Sequence, residues 1–284
     1  MNLSRIISGT MNWGSWGANY SYEEISELIR CAYENGINSF DHADIYGGYT
    51  TEEEFGKAFK LSGIEREKVI FISKCGIMYP CEKLQIDVKH YDYSKSHIIK
   101  SVENSLNNLN TDYLDSLLLH RPSPIMDINE IGDTINYLMD KKMIKSFGVS
   151  NFTVSQMSLI EKNLKISYNQ INFSLTNYDP MFDGTLDYML INNITPMAYR
   201  PLGNFFSLDN KLLIEKIEKM CSKYSCSQDE ILLSWILKHE SKICPVIGTT
   251  KKDRIIRSSK VENIEIELID WFELLEASMG KRLP

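Results

Sequence analysis

The chain has 284 residues, enough for one α/β barrel of roughly 250 residues with extras or for two small domains. A formal net charge of -7 argues against a general nucleic-acid binder, which would carry a basic face; an anionic cofactor held by a local basic cluster stays compatible with it. Apolar residues make up 43% of the chain, an ordinary share for a soluble globular protein.

No signal peptide is evident in Met1-Asn2-Leu3-Ser4-Arg5 and the short apolar run that follows. The most apolar helical stretch, Ile231 to Leu237, is far too short to span a membrane. Cys31, Cys75, Cys81, Cys221, Cys226 and Cys244 are scattered, without a CxxC pair or zinc spacing. Reduced thiols and a cytoplasmic location are therefore expected.

In chain order, Ile6 to Met11 reads as a strand that runs into a loop through Trp13, Gly14 and Gly17. Ser21 is placed as an N-cap, with Glu23 and Glu24 in the first turn, where negative charge suits the helix dipole. Ile25, Leu28, Ile29 and Ala32 form the apolar stripe of that helix, which Asn35-Gly36 ends. Ile37 to Phe40 is the second strand. Thr50 to Lys60 is helical, and Thr51 with Glu54 resembles a capping box. Val69 to Ser73 is the third strand, and Ser94 to Asn108 the next helix. Strands follow at Tyr113 to Leu119, Ile144 to Val149, Tyr168 to Asn172, Pro196 to Tyr199 and Ile243 to Ile247. Helices fall at Asp127 to Lys141, Val154 to Glu161, Leu186 to Ile191, Leu212 to Tyr224, Asp229 to Lys238, Asp253 to Ser259 and Leu268 to Met279.

Strands that alternate with helices pair in parallel, and apolar runs without alternation are what a sheet covered on its outer face requires. About eight such units in this length favour a closed (β/α)8 TIM barrel, a single domain over 1–284, over an open doubly wound sheet. No GxGxxG follows the first strand, which weakens the Rossmann alternative. The longest irregular piece, Cys75 to Tyr93, is long enough to be functional.

Chemistry in a barrel sits at the carboxyl ends of the strands. Here those ends carry Asp41, Lys74, His120, Ser150-Asn151, Gln170 and Tyr199, and Tyr46 follows Asp41 on a loop closed by two glycines. A tyrosine is a poor acid near neutrality, but a neighbouring ammonium stabilises its phenolate, and a carboxylate can hold that ammonium. With a histidine to bond a substrate oxygen, Asp41, Tyr46, Lys74 and His120 suit proton transfer to a carbonyl or from an alcohol. Asp41, His42, Asp44 and His120 read as metal ligands is the weaker alternative, because no HxH follows the first strand, and no metal is expected.

Phe40-Asp41-His42-Ala43-Asp44-Ile45-Tyr46-Gly47 resembles the first signature of the aldo-keto reductases. Ile72-Ser73-Lys74-Cys75-Gly76 is similar to that family's lysine motif, and Asp115 to Pro122 to its histidine motif. Ser146 to Phe152, Asn169-Gln170 and Ala198 to Gly203 resemble the fifth, sixth and seventh strand motifs. The Tyr46-Gly47-Gly48-Tyr49 run and the tail from Met279 to Pro284 look most like a bacterial oxidoreductase subgroup.

The resemblance implies NADPH-dependent reduction of small aldehydes or ketones, with NADP+ as the oxidised cofactor. It makes Tyr46 the general acid/base, Lys74 the group that lowers its pKa, Asp41 the partner of Lys74, and His120 the group that orients the carbonyl. Ser150, Asn151 and Gln170 would hold the nicotinamide, with Tyr199 stacked on it. The family's dinucleotide lies extended across the barrel mouth, which adds Gly9, Thr10, Met11, Asp41, Arg200, Leu202, Gly203 and Gly248 to the cofactor contacts. Thr249, Lys251 and Arg254, at the start of the helix expected over Asp253 to Ser259, would meet the 2′-phosphate. Met11 stands where many members have tryptophan, with Trp13 and Trp16 near enough to line the pocket. Arg200 replaces a common serine. The short tail implies an open pocket with broad tolerance for small carbonyls. His42 stands where threonine is usual and reads as a packing residue. The partner implied is a small molecule, with no nucleic acid or membrane, and the chain is read as a monomer, with a weak homo-oligomer as the alternative. The alternative reading is a cofactor-binding redox sensor or regulatory subunit on the same fold, like the family's channel-associated β subunits.

Overall fold

A computed structural model describes residues 3–283. The first strand is short, β1 (Ile7–Gly9), and helix α1 (Tyr22–Glu34) follows the loop after it. Ser21 caps α1 through a full capping box: its side chain accepts from the Glu24 amide, and the Glu24 carboxylate accepts from the Ser21 amide. The stripe Ile25, Leu28, Ile29 and Ala32 is buried as its spacing predicts. The chain continues through β2 (Ser39–Asp41), α2 (Thr51–Ser62), β3 (Ile70–Cys75), β4 (Ile77–Met78), β5 (His90–Tyr91), α3 (Lys95–Asn108), β6 (Ser116–Leu119), α4 (Ile128–Asp140), β7 (Phe147–Ser150), α5 (Val154–Ile160), β8 (Tyr168–Asn172), α6 (Thr185–Ile191), β9 (Thr195–Tyr199), α7 (Lys211–Tyr224), α8 (Gln228–Leu237), β10 (Cys244–Ile247), α9 (Lys252–Ser258) and α10 (Leu268–Met279).

The main sheet closes on itself in the order β1-β10-β9-β8-β7-β6-β3-β2, with every pair parallel. This is the (β/α)8 barrel that the alternation of elements predicts. Side chains alternate across the strands. Ile7, Ile70, Ile72, Leu118, Met197 and Val246 form a cluster separate from the main core, with Leu3 packed against it. They fill the barrel interior. Phe40, Phe71, Leu117, Leu119, Phe147 and Val149 belong to the larger core against the helices.

Two local expectations are corrected. Thr51 and Glu54 make no capping box: Thr50 occupies the cap position in a helical conformation, and its hydroxyl donates to the Gly47 carbonyl instead. The piece from Cys75 to Tyr93 is not wholly irregular. Its ends pair as the antiparallel hairpin β4–β5, with Ile77 opposite Tyr91 and Met78 opposite His90. This small hairpin stands on the carboxyl rim of β3, beside the site.

Candidate active site

Lys74 sits inside β3 with its side chain wholly buried. Its ammonium has three hydrogens, and three acceptors receive them: Asp41 Oδ2 at 2.8 Å, the His42 carbonyl at 2.7 Å and Tyr46 Oη at 3.1 Å. The lysine therefore donates to the tyrosine, which leaves the tyrosine's own proton free to be given elsewhere. Asp41 is held from its other side, since Gln170 Nε2 donates to Oδ1 at 2.9 Å. His120, at the end of β6, presents its ring edge-on to Tyr46 with centroids 6.1 Å apart. The three consecutive barrel strands β2, β3 and β6 thus bring Asp41, Tyr46, Lys74 and His120 together.

Burial alone would push the Lys74 ammonium down, but the Asp41 carboxylate and then the Tyr46 phenol outweigh it, and the net shift is upward. Lys74 is therefore a fixed cation. Burial pushes the Tyr46 phenol up; Lys74 pulls it back without cancelling the rise. The phenol is thus protonated at neutral pH, which is the form a proton donor needs. The lowering expected from Lys74 is present as a contribution, but it does not set the net direction. His120 is pushed well below the usual histidine range by burial, then by the charges of Lys74, Arg121 and Lys89. Its imidazole is neutral and carries one N–H to donate.

An open cleft of about 2050 Å³ runs over this end of the barrel, well beyond the roughly 300–1,000 Å³ of an ordinary small-molecule pocket. Asp41, Tyr46 and His120 line it, as do Gly9, Met11, Gln170, Tyr199, Arg200, Leu202, Gly203, Gly248, Thr249 and Arg254. Arg200 and Asn151, at the ends of β9 and β7, both hold positive φ, at 50° and 61°. Such backbone costs energy for a residue with a side chain and clusters at functional sites. At Gly203 (φ +57°) a Cβ would come within 1.9 Å of Thr176 Oγ1, so only glycine fits there.

Other residues singled out from the sequence lie behind this surface. Ser150 is buried and donates to the Gln170 carbonyl. Asn151 donates to Ser150 Oγ and accepts from the Tyr199 hydroxyl at 2.8 Å, so it fixes the ring of Tyr199. Thr10 is buried and bonded to the Asp41 carbonyl and to His42 Nδ1. Lys251 is exposed at the N-cap position of α9, away from the cleft lining, and its amide donates to Thr249 Oγ1.

Trp16 lines the cleft, as the sequence implies, but Trp13 does not. Trp13 is buried against Phe40 and Phe55, and its indole N–H donates to the Thr249 carbonyl. His42 is a packing residue: its ring meets Phe55 and Phe71 edge-on, away from His120, and burial pushes its pKa far down. Asn12, Tyr79, Lys89 and Arg121 also line the cleft, and sequence reasoning missed them. They come from loops without periodicity; the one available signal was the position of Arg121, directly after the strand-end histidine.

The model of the Aldo/keto reductase family matches residues 5–274. An uncharacterised oxidoreductase, YcsN of Bacillus subtilis, is 37% identical across 100% of this chain and 97% of its own length. A 6-dehydroglucose reductase of Agrobacterium fabrum is 34% identical, again across 100% of this chain and 97% of its own. Among solved structures, a thermostable aldo-keto reductase in complex with the inhibitor epalrestat superposes with a TM-score of 0.83 at 25% identity, covering 97% of this chain and 95% of its own. An aldo/keto reductase from Klebsiella pneumoniae, solved with NADP and acetate, gives 0.81 at 22% identity over 99% of this chain and 93% of its own. With the closed parallel barrel and the Asp41–Lys74–Tyr46 contacts at its carboxyl end, these matches identify the chain as an oxidoreductase of the aldo/keto reductase family.

Proposed function

We propose that the chain reduces aldehydes or ketones to alcohols with NADPH, and that Tyr46 is the general acid. The observation that carries this reading is the saturated Lys74 ammonium, which donates to Tyr46 Oη and so leaves that hydroxyl as a donor toward the cleft.

The residues present fit a dinucleotide. The cleft is roomy enough for one, at about 2050 Å³, and the hydroxyl of Tyr199 is anchored by Asn151. Arg200 and Arg254 line the cleft and form no ion pair among the described residues, whereas Arg66 and Arg257 are each paired. Tyr199 and Gln170 would hold the nicotinamide, Arg200 and Gly203 the pyrophosphate, and Thr249 and Arg254 the 2′-phosphate. When bound, the cofactor supplies the hydride. A solved family member of this fold carries NADP in its complex.

The chain's own residues do the rest. His120, neutral, donates to the carbonyl oxygen and orients it. Tyr46 passes its proton to that oxygen as negative charge develops there. The phenolate left behind is stabilised by the Lys74 ammonium, and Asp41 fixes that ammonium while Gln170 fixes Asp41. In the reverse direction the same phenolate accepts the alcohol proton.

The test follows NADPH absorbance against a panel of aldehydes, ketones and dicarbonyls. The panel includes 6-dehydroglucose, because a relative carries that name. Turnover on members of the panel is expected. Tight NADPH binding with no turnover on any carbonyl would replace this reading with a sensor or regulatory role.

A further inference from the structure

The end of the cleft that holds Tyr46 and His120 also carries unpaired cations among the described residues. On the side bounded by β2, β3 and β6, the lining offers one carboxylate, Asp41, and Lys74 already neutralises it. Two cations line the same side: Arg121, directly after β6, and Lys89, just before β5. Neither forms an ion pair among the described residues, in a chain whose net charge is -7. Both act on His120, whose shift records their charges.

Arg121 is not a loosely placed surface residue. The buried Tyr93 hydroxyl donates to its carbonyl and accepts from its amide at 3.1 Å, which pins the backbone. Its guanidinium lies 5.6 Å from the centre of the Tyr199 ring. The cleft also carries an aromatic wall, where Trp16 meets Tyr79 edge-on at 5.2 Å and Tyr46 at 6.2 Å. Two cations that both act on His120, in a cleft that also carries an aromatic wall, match a short carbonyl compound with an anionic group at its far end. Guanidinium and ammonium bonds to carboxylate or phosphate are the strong kind, and they discriminate sharply against neutral analogues.

Resting on the carbonyl-reductase reading above, we infer that the substrate class is a carbonyl compound bearing a carboxylate or phosphate, and that Arg121 and Lys89 bind that anion.

The test measures kcat/KM with NADPH for matched pairs: 4-oxobutanoate against its methyl ester, and glyceraldehyde 3-phosphate against glyceraldehyde. The charged member of at least one pair is expected to be preferred about tenfold or more, and the better pair tells carboxylate from phosphate. In Arg121→Met and Lys89→Met that preference should shrink about tenfold or more, through KM. Equal rates within both pairs, or a preference unchanged in the two variants, would overturn the inference and leave the carbonyl-reductase reading standing. An equal loss of NADPH affinity in Arg121→Met, read from fluorescence quenching, would also overturn it, because that cation would then serve the cofactor. If no carbonyl is turned over at all, the reading of the reaction fails, and calorimetry with succinate and inorganic phosphate decides the anion site alone. Binding that the variants lose upholds the site; no binding refutes it.

Discussion

Among single residues, a buried ammonium holds the site together. Lys74 and Asp41 are a desolvated pair at 2.8 Å, and breaking such a pair costs about 3–5 kcal/mol because one charge stays behind. Lys74→Met is therefore expected to lower stability by about that amount in chemical denaturation, and to abolish carbonyl reduction. A second prediction concerns pH. The proposed acid must be protonated, and burial raises the Tyr46 pKa above the ordinary phenol value of about 10. The reduction rate at saturating substrate should therefore stay level through neutral pH and decline only as pH rises past about 10; a decline beginning near pH 7 would assign the proton to another group. Asp41, Lys74 and His120 were legible in the sequence because each is an ionisable residue ending an apolar run. Arg121, Lys89 and Tyr79 were not, because nothing in an aperiodic loop says which way it folds. Trp13 misled for the opposite reason. It lies in the same glycine loop as Trp16, and only the packing of Phe40 and Phe55 decides which indole turns inward.

At the scale of elements, the loop ends matter more than the strand interiors. The hairpin β4–β5 begins at Gly76, whose φ is +101° and whose missing Cβ would sit 1.9 Å from the Tyr93 ring. Gly76→Ala is expected to destabilise the protein by about 1–3 kcal/mol, read as a fall in melting temperature. It should also disturb Arg121, which Tyr93 holds. The interface of β2 with α2 and α3 carries a second load. Asp44 is pushed well above the usual carboxylate range by burial and then by the neighbouring Glu52 carboxylate, which burial also raises. Their folded pKa values exceed the unfolded ones, so the folded state binds more protons and loses stability as pH rises. Asp44→Asn removes one such group, so its effect on the melting temperature should become more favourable from pH 5 to pH 9. An effect independent of pH would mean that Asp44 is ionised in the fold. In the sequence Asp44 reads as part of the first family signature and as a minor metal-ligand candidate, and Glu52 carries no signal; only the packing of Ser101 and Ser73 around the pair reveals that both are buried.

At the scale of the whole molecule, the barrel divides the labour around its rim. Strands β2, β3 and β6 bring the proposed proton-transfer residues, while β8 to β10 and β1, with the loops after them, line the long arm of the cleft. The alternation of strands and helices made this closure legible, since eight parallel strands buried on both faces leave few other arrangements. Element ends were less legible: β1 keeps only Ile7–Gly9 of a longer apolar run, because the chain turns away once Thr10 bonds back to Asp41. The far end of the cleft supports a cofactor prediction. Arg254→Ala should weaken NADPH roughly 10- to 100-fold, as expected for losing a bond to a charged group, and should leave NADH nearly untouched; equal losses would remove the 2′-phosphate from that position. Proton delivery by Tyr46 is decided by comparing Tyr46→Phe with the unaltered protein on a carbonyl substrate at saturating NADPH. In the variant kcat should fall about 10²- to 10⁴-fold while NADPH binding is retained. Equal turnover by the two proteins would rule Tyr46 out as the acid.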